Sequence, residues 1–337
     1  MSRFATVCMA AALALAHEAP AAAQHAEAAA APLPDGVTSV GPATTAVTQR
    51  YRVDSRNVGK SFFVEVIRID RPFPPVAEKL PVVFVPDGNV LTSLVPAIAH
   101  LGSFESLPSM IVVGISYDFG AANQQEAAFQ GYARRLTDFT PTADEPGEIA
   151  MASLVAQQLF GMEAWPDDMP FGRADAFLAF IDEEVKPFLA ARYPAADLEE
   201  TALVGHSLGG LFTMHVLLTS PDSFDRYVAL DPSPWGDVLM QEEEALGDVS
   251  ARLFVGVSGV LPPGLPPGFR TPAETLGALD ARLRTRGRPG LRHTFRIFPE
   301  ETHNSLPPAG IMAGLRVVFD PPPPPFPLPP EAVDEAP

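Results

Sequence analysis

One stretch of this chain has the spacing of a nucleophile. Residues 201 to 211 read TALVGHSLGGL: a short apolar strand running into Gly205-His206-Ser207-Leu208-Gly209, then a helix-compatible run to Leu218. A serine on so sharp a strand-to-helix turn has strained backbone angles. Its neighbours two before and two after must be small for strand and helix to approach. Gly205 and Gly209 meet that need, and Gly210 adds slack. The turn also sets Ser207 at a helix N-terminus, where free N–H groups favour developing negative charge. The chemistry this predicts is nucleophilic attack on an acyl carbon.

A serine hydroxyl needs an adjacent base. The chain has seven histidines. His17 and His25 fall in the leader or linker, His293 in a strand and His215 in a helix. His100 closes an early helix, and His206 belongs to the turn, its side chain expected to point away from Ser207. His303, in FPEETHNS after the last strand, stands where this architecture delivers its base; Asn304 or Ser305 then caps the final helix. The acid that should hold the imidazole is less plainly marked. It normally follows the strand Arg252–Val257, but the next loop, SGVLPPGLPPGFR, has no carboxylate. Three readings stay open: Asp231, directly after the strand Tyr227–Leu230; Glu274, in the first turn of a helix; or a Ser–His dyad. The oxyanion hole should combine the backbone amides of Leu208 and, from the loop PDGNV, Asn89.

Elements that would position these groups alternate along the chain. Apolar, β-branched runs recur at Ser61–Ile69, Leu80–Val85, Met110–Ser116, Thr201–Val204, Tyr227–Leu230, Arg252–Val257 and Leu291–Phe298. Several are nearly continuous, as buried parallel strands are. Helical spacing covers Arg173–Arg192, Glu274–Thr285 and Leu306–Val318. The pattern predicts one α/β domain over 45–320: a doubly wound, mostly parallel sheet of about eight strands with helices on both faces. Tyr117 to Gly172 has no strand signal and reads as an insertion. Within it Glu148–Phe160 suits a lid helix, and Arg134 and Arg135 could meet an anionic substrate. Arg282, Arg284, Arg286 and Arg288 read as a solvated helix end.

Composition narrows the remaining classes. The chain has 337 residues and is 47% hydrophobic, enough for a full-sized core. A net charge of -18 would repel phosphate backbones and anionic membrane surfaces, so nucleic-acid binding and stable membrane insertion are not expected. Arg3, the apolar run Phe4 to Ala16 and the small-residue stretch to Ala23 have the three parts of a signal peptide, which predicts export to the periplasm or beyond. Residues 24–44 read as a linker. Nine prolines lie in the last 17 residues, so 321–337 reads as an extended tail. The single cysteine, Cys8, excludes a disulfide framework, and no metal or cofactor motif is seen.

VVFVPDGNVL, IVVGISY, YARRLTDFTPT, GRADAFLAFIDEEVKPFLAARYP, LVGHSLGGLF, ALDPSPW and EETHNS follow one another across residues 50 to 319. In this order they resemble the bacterial putative-esterase family that includes siderophore esterases, and more distantly esterase D. The resemblance implies an α/β-hydrolase fold and hydrolysis of small-molecule carboxylic esters, with Ser207 and His303 matching the nucleophile and base. Two departures stand out. The family's usual acid position is empty, and its S-P-S-x-W-W stretch is here Asp231-Pro232-Ser233-Pro234-Trp235-Gly236. An acyltransferase on the same machinery, or a catalytically silent binding protein, are the alternatives.

Overall fold

The computed structural model describes residues 48–73, 77–120, 123–261 and 271–321. The leader, the linker and all but the first residue of the Pro-rich tail lie outside these. Eight strands form one sheet: β1 (Thr48–Asp54), β2 (Ser61–Ile69), β3 (Leu80–Val85), β4 (Met110–Tyr117), β5 (Ala196–His206), β6 (Arg226–Leu230), β7 (Ala251–Ser258) and β8 (Leu291–Phe298). Their order is β1-β2-β4-β3-β5-β6-β7-β8. The pairings β1–β2 and β2–β4 are antiparallel and the rest parallel. This is the doubly wound, mostly parallel sheet the alternation predicts and the α/β-hydrolase fold the resemblance implies. The parallel strands at the centre are buried on both faces, which is why β4 reads as an unbroken apolar run. The order places the C-terminal ends of β3, β5 and β6 side by side, where the elbow must open.

Ten α-helical segments cover the two faces: α1 (Gly88–Leu91), α2 (Leu94–Gly102), α3 (Gln124–Phe139), α4 (Pro146–Phe160), α5 (Ala174–Phe180), α6 (Lys186–Arg192), α7 (Leu208–Thr219), α8 (Val238–Ala245), α9 (Pro272–Arg286) and α10 (Leu306–Val318). A π-helical turn, Ile181–Val185, joins α5 to α6, so the stretch expected as one regular helix carries an extra residue at its middle. The core divides accordingly. One layer packs Phe62, Phe84 and Leu203 against Phe139, Phe177 and Phe212 from α3, α5 and α7. The other packs Val83, Ala202 and Val204 against Val95 of α2 and Ile311 and Leu315 of α10.

Several charged groups sit differently from expectation. Arg134 and Arg135 do not face solvent. Arg135 makes a buried pair with Asp87 at 2.6 Å, and Arg134 lies over the rings of Phe62 and Tyr117. Arg135 directs two of its nitrogens to Asp87, and Arg134 donates one N–H to the Ser61 carbonyl; the burial of both side chains argues against a substrate contact. Nor are the four arginines near the end of α9 simply solvated. Arg282, Arg286 and Arg288 converge on Glu243 of α8, whose side chain is fully buried, while the exposed Arg284 pairs along its own helix with the half-buried Asp280. Burial raises the Glu243 carboxyl, but these cations more than offset it and hold the group below its ordinary range.

The insertion is built on α3 and α4. Met151, Val155 and Phe160 bury the inner face of α4, and Phe160 packs on Phe129 and Tyr132 of α3. Beyond α4, Trp165 stacks on Phe171 and Phe171 on Trp235, whose indole N–H donates to the carbonyl of Thr142. The insertion is therefore fastened to the segment Asp231–Gly236.

Candidate active site

Ser207 stands between β5 and α7 with φ 61° and ψ −121°, a conformation L-residues rarely adopt. Three bonds hold it there. Ser207 N–H donates to the Leu230 carbonyl, and the Ser207 carbonyl accepts from Leu211 and Ser233. The glycine requirement is local and uneven. A Cβ on Gly205 would lie 2.1 Å from the Gly209 carbonyl oxygen, so no side chain fits. One on Gly210 would meet the Leu230 carbonyl at 2.8 Å, so this glycine is a close-approach residue rather than slack. At Gly209 the nearest atom would be the Asp87 carboxylate at 3.5 Å, an ordinary contact.

His303 and Asp231 meet at this elbow. Asp231 directly follows β6 with φ 40°, its N–H on the Gly256 carbonyl. One of its carboxylate oxygens accepts from Ser258 N–H at 2.8 Å. The other lies 3.3 Å from Nδ1 of His303. That leaves Nε2 of His303 buried without a hydrogen-bond partner among the described residues. The Ser207 hydroxyl is 3.2 Å from the Ser233 hydroxyl. Ser207, Asp231 and His303 are all buried.

Of the other acid candidates, Glu274 is excluded by its place. It forms a capping box with Thr271, donating its N–H to Thr271 Oγ1 and accepting Thr271 N–H at 2.7 Å. The loop after β7 is described as far as Leu261 and carries no carboxylate over that length. The carboxylate that meets His303 thus comes from one strand earlier than expected, because a left-handed turn at Asp231 brings its side chain between the ends of β6 and β7.

Leu208 is the first residue of α7, so its N–H has no acceptor within that helix. Asn89 lies in the first turn of α1; its side-chain oxygen accepts from Tyr117 N–H at 2.7 Å, which fixes the loop after β3 to the end of β4. Ser305 is the N-cap of α10, but its hydroxyl turns back to Thr302 and Glu301 rather than onto the helix.

Two neighbours were not anticipated. Ser233 beside Ser207 had no signal beyond lying two residues after Asp231. His206, expected to point away from Ser207, packs on the His303 ring at 4.6 Å between centroids. Ligand atoms of His206, Asp231 and His303 fall within 4.8 Å of one another. Here His206 Nε2 is committed to the His303 carbonyl and His303 Nδ1 to Asp231, so the donor set serves hydrogen bonding.

Fold and site together define an α/β-hydrolase-fold protein with a serine-hydrolase arrangement. Comparison with known proteins carries this further: the family model described as "Putative esterase" matches residues 162–253. The chain is 32% identical over 176 residues to the siderophore triacetylfusarinine C esterase of Aspergillus fumigatus, 51% of each chain. It is 28% identical over 283 residues to the ferri-bacillibactin esterase BesA of Bacillus subtilis, covering 81% of this chain and 90% of that one. Among solved structures, the BES protein of Bacillus cereus matches with a TM-score of 0.65 at 25% identity, over 83% of this chain and 99% of the other. The chain spans about half the length of the fungal relative and most of the bacterial one. The resemblance to siderophore-type esterases read from the motifs is borne out.

Proposed function

We propose that this chain is an exported serine esterase acting on small-molecule carboxylic esters of the siderophore type. The observation that supports the reading is that Ser207, on its strained elbow, directly follows His206, whose ring packs on His303, which in turn meets Asp231, with all of these residues buried. Ser207 Oγ attacks the ester carbonyl carbon while Nε2 of His303 takes its proton, and Asp231 holds Nδ1–H and stabilises the imidazolium. The amides of Leu208 and Asn89 receive the oxyanion. Collapse expels the alcohol, which leaves with the proton from His303. Water then attacks the acyl-enzyme with His303 as base, releasing the carboxylate and restoring Ser207.

The relatives named as siderophore esterases support the substrate class. The Arg3–Ala23 leader supports export. No helix among the described residues is long and apolar enough to cross a membrane. The Asp231–His303 contact supports the catalytic reading over a silent binding protein, whose motive was the missing acid. Labelling by a fluorophosphonate probe in the wild type, lost in Ser207→Ala, tests the mechanism. A panel of p-nitrophenyl esters of increasing length, run beside a siderophore trilactone, tests the substrate class. An added alcohol acceptor tells hydrolysis from acyl transfer. Absence of labelling in correctly folded wild type would overturn the reading.

A further inference from the structure

The base of this site is carried by irregular chain. His303 lies on the turn between β8 and α10, and its ring has one link to the acid, at 3.3 Å. That is long for a hydrogen bond that must fix an imidazole. The backbone of the turn is tied at Glu301, whose carbonyl accepts from Val260 N–H, and at Thr302, whose N–H donates to Ser305 Oγ and whose carbonyl accepts from Leu306 N–H, but none of these bonds uses the carbonyl of His303 itself. A closer restraint comes from the strand that carries the nucleophile.

Side chains alternate along β5. Ala202 and Val204 face the layer built with α10, so the two-residue period brings His206 to that face also, and His303 stands three residues before α10. His206 Nε2 is 2.8 Å from the carbonyl oxygen of His303, and the two rings pack at 4.6 Å with a 39° tilt. A carbonyl can only accept, so the proton of the His206 imidazole must sit on Nε2. Burial, helped by the neighbouring His303 and Arg135, drives the His206 pKa well below its ordinary value and keeps the ring neutral.

We infer that His206 is a positioning residue: its Nε2–H, bonded to the main chain of His303, sets the distance between nucleophile and base. The inference rests on the reading of Ser207 and His303 as that pair. His206 and Ser207 are consecutive, and His206 stands on a strand paired on both sides, with β3 and β6. One rigid segment thus offers the hydroxyl and, one residue earlier, grips the peptide that carries the imidazole. Displacement of a reacting group by about 1 Å costs on the order of a hundredfold in rate. A loose turn at His303 therefore shows in kcat, while the ester-binding surface and KM are left alone.

The test uses the full chain as wild type, His206→Phe, His206→Gln, Ser207→Ala and His303→Ala, assayed on p-nitrophenyl acetate. Phenylalanine keeps the packed ring and removes the donor; glutamine keeps an N–H near the place of Nε2. The expected result for His206→Phe is a fall in kcat of about ten- to a hundredfold with KM within threefold of wild type. In His206→Gln most of that loss is recovered. The low-field proton resonance of His303 Nδ1–H on Asp231 is expected to broaden or shift in the phenylalanine variant and to return in the glutamine one, at unchanged Tm. Wild-type kcat in His206→Phe, with Ser207→Ala and His303→Ala inactive, overturns the role of His206 and leaves the esterase reading standing. Should His206→Phe fail to fold, a folded His206→Gln with a hundredfold loss overturns it equally. Full activity in Ser207→Ala removes the esterase reading and this inference with it.

Discussion

The hydroxyl of Ser207 faces that of Ser233 at 3.2 Å, while Nε2 of His303 has no partner among the described residues. In the resting site the nucleophile is thus bonded to a neutral neighbour and must leave it to hand its proton to the base. A neutral hydrogen bond of this kind is worth about 1 kcal/mol net. Ser233→Ala is expected to label with a fluorophosphonate up to about fivefold faster than wild type. A loss of a hundredfold would instead make Ser233 a proton-handling group.

Asp231→Asn leaves the shape of the site in place and turns its contact with Nδ1 from acceptor toward donor. By analogy with the triad of a serine protease, kcat falls by about 10⁴-fold with little change in KM. Steady-state kinetics on a p-nitrophenyl ester check this, and a loss below a few-fold rejects Asp231 as the acid.

The elbow glycines differ in what they must clear. Gly205→Ala drives a methyl group into the Gly209 carbonyl and is expected to cost about 1–3 kcal/mol or to abolish folding. Gly209→Ala meets only the Asp87 side chain at contact distance and should unfold within about 0.5 kcal/mol of wild type. Urea midpoints of the two variants decide whether the motif's second glycine is needed for sterics at all.

Removing the charge of Arg135 strands Asp87 in the interior. Arg135→Met is expected to cost about 3–5 kcal/mol, and Asp87→Leu added to it should recover part of the loss. Thermal unfolding measures both. A selective rise in KM for anionic esters at unchanged Tm would restore the substrate-contact role that burial argues against.

His215 lies between Asp175 of α5 and Glu242 of α8, at 3.0 and 2.6 Å. Burial disfavours its charge, but the two carboxylates outweigh that and raise its pKa to about 9. A histidine raised on folding adds stability that is complete below its unfolded value of about 6.5 and is lost as pH climbs through about 9. The drop from pH 6 to pH 10 should reach up to about 3 kcal/mol in wild type and flatten in His215→Gln, read from denaturation at each pH.

The strands that bury both faces announce themselves by composition; β2, β3 and β8 fall within the residues expected for them. β1 does not, because it is an edge strand whose sequence, TQRYRVD, is mostly exposed and gains its place by pairing with β2. Ser207 was legible because its glycines have a steric cause, and His303 because chain order sets its loop. Asp231 was one option among three until a left-handed turn, invisible in composition, showed where its side chain goes. Arg135 carried an unread signal: on α3 it lies between Tyr132 and Phe139, three before and four after, along the buried face. His206 carried another, since the alternation of β5 already assigns it to the side of α10.

The chain has two tryptophans, and both belong to one aromatic ladder: Trp165 on Phe171, Phe171 on Trp235. Trp235 is four residues past Asp231 and two past Ser233, on the short segment that borders the nucleophile. The protein's tryptophan emission therefore originates from a single column of rings joining the insertion to that segment. Any ligand that shifts one end of the column reports itself optically, with no label attached.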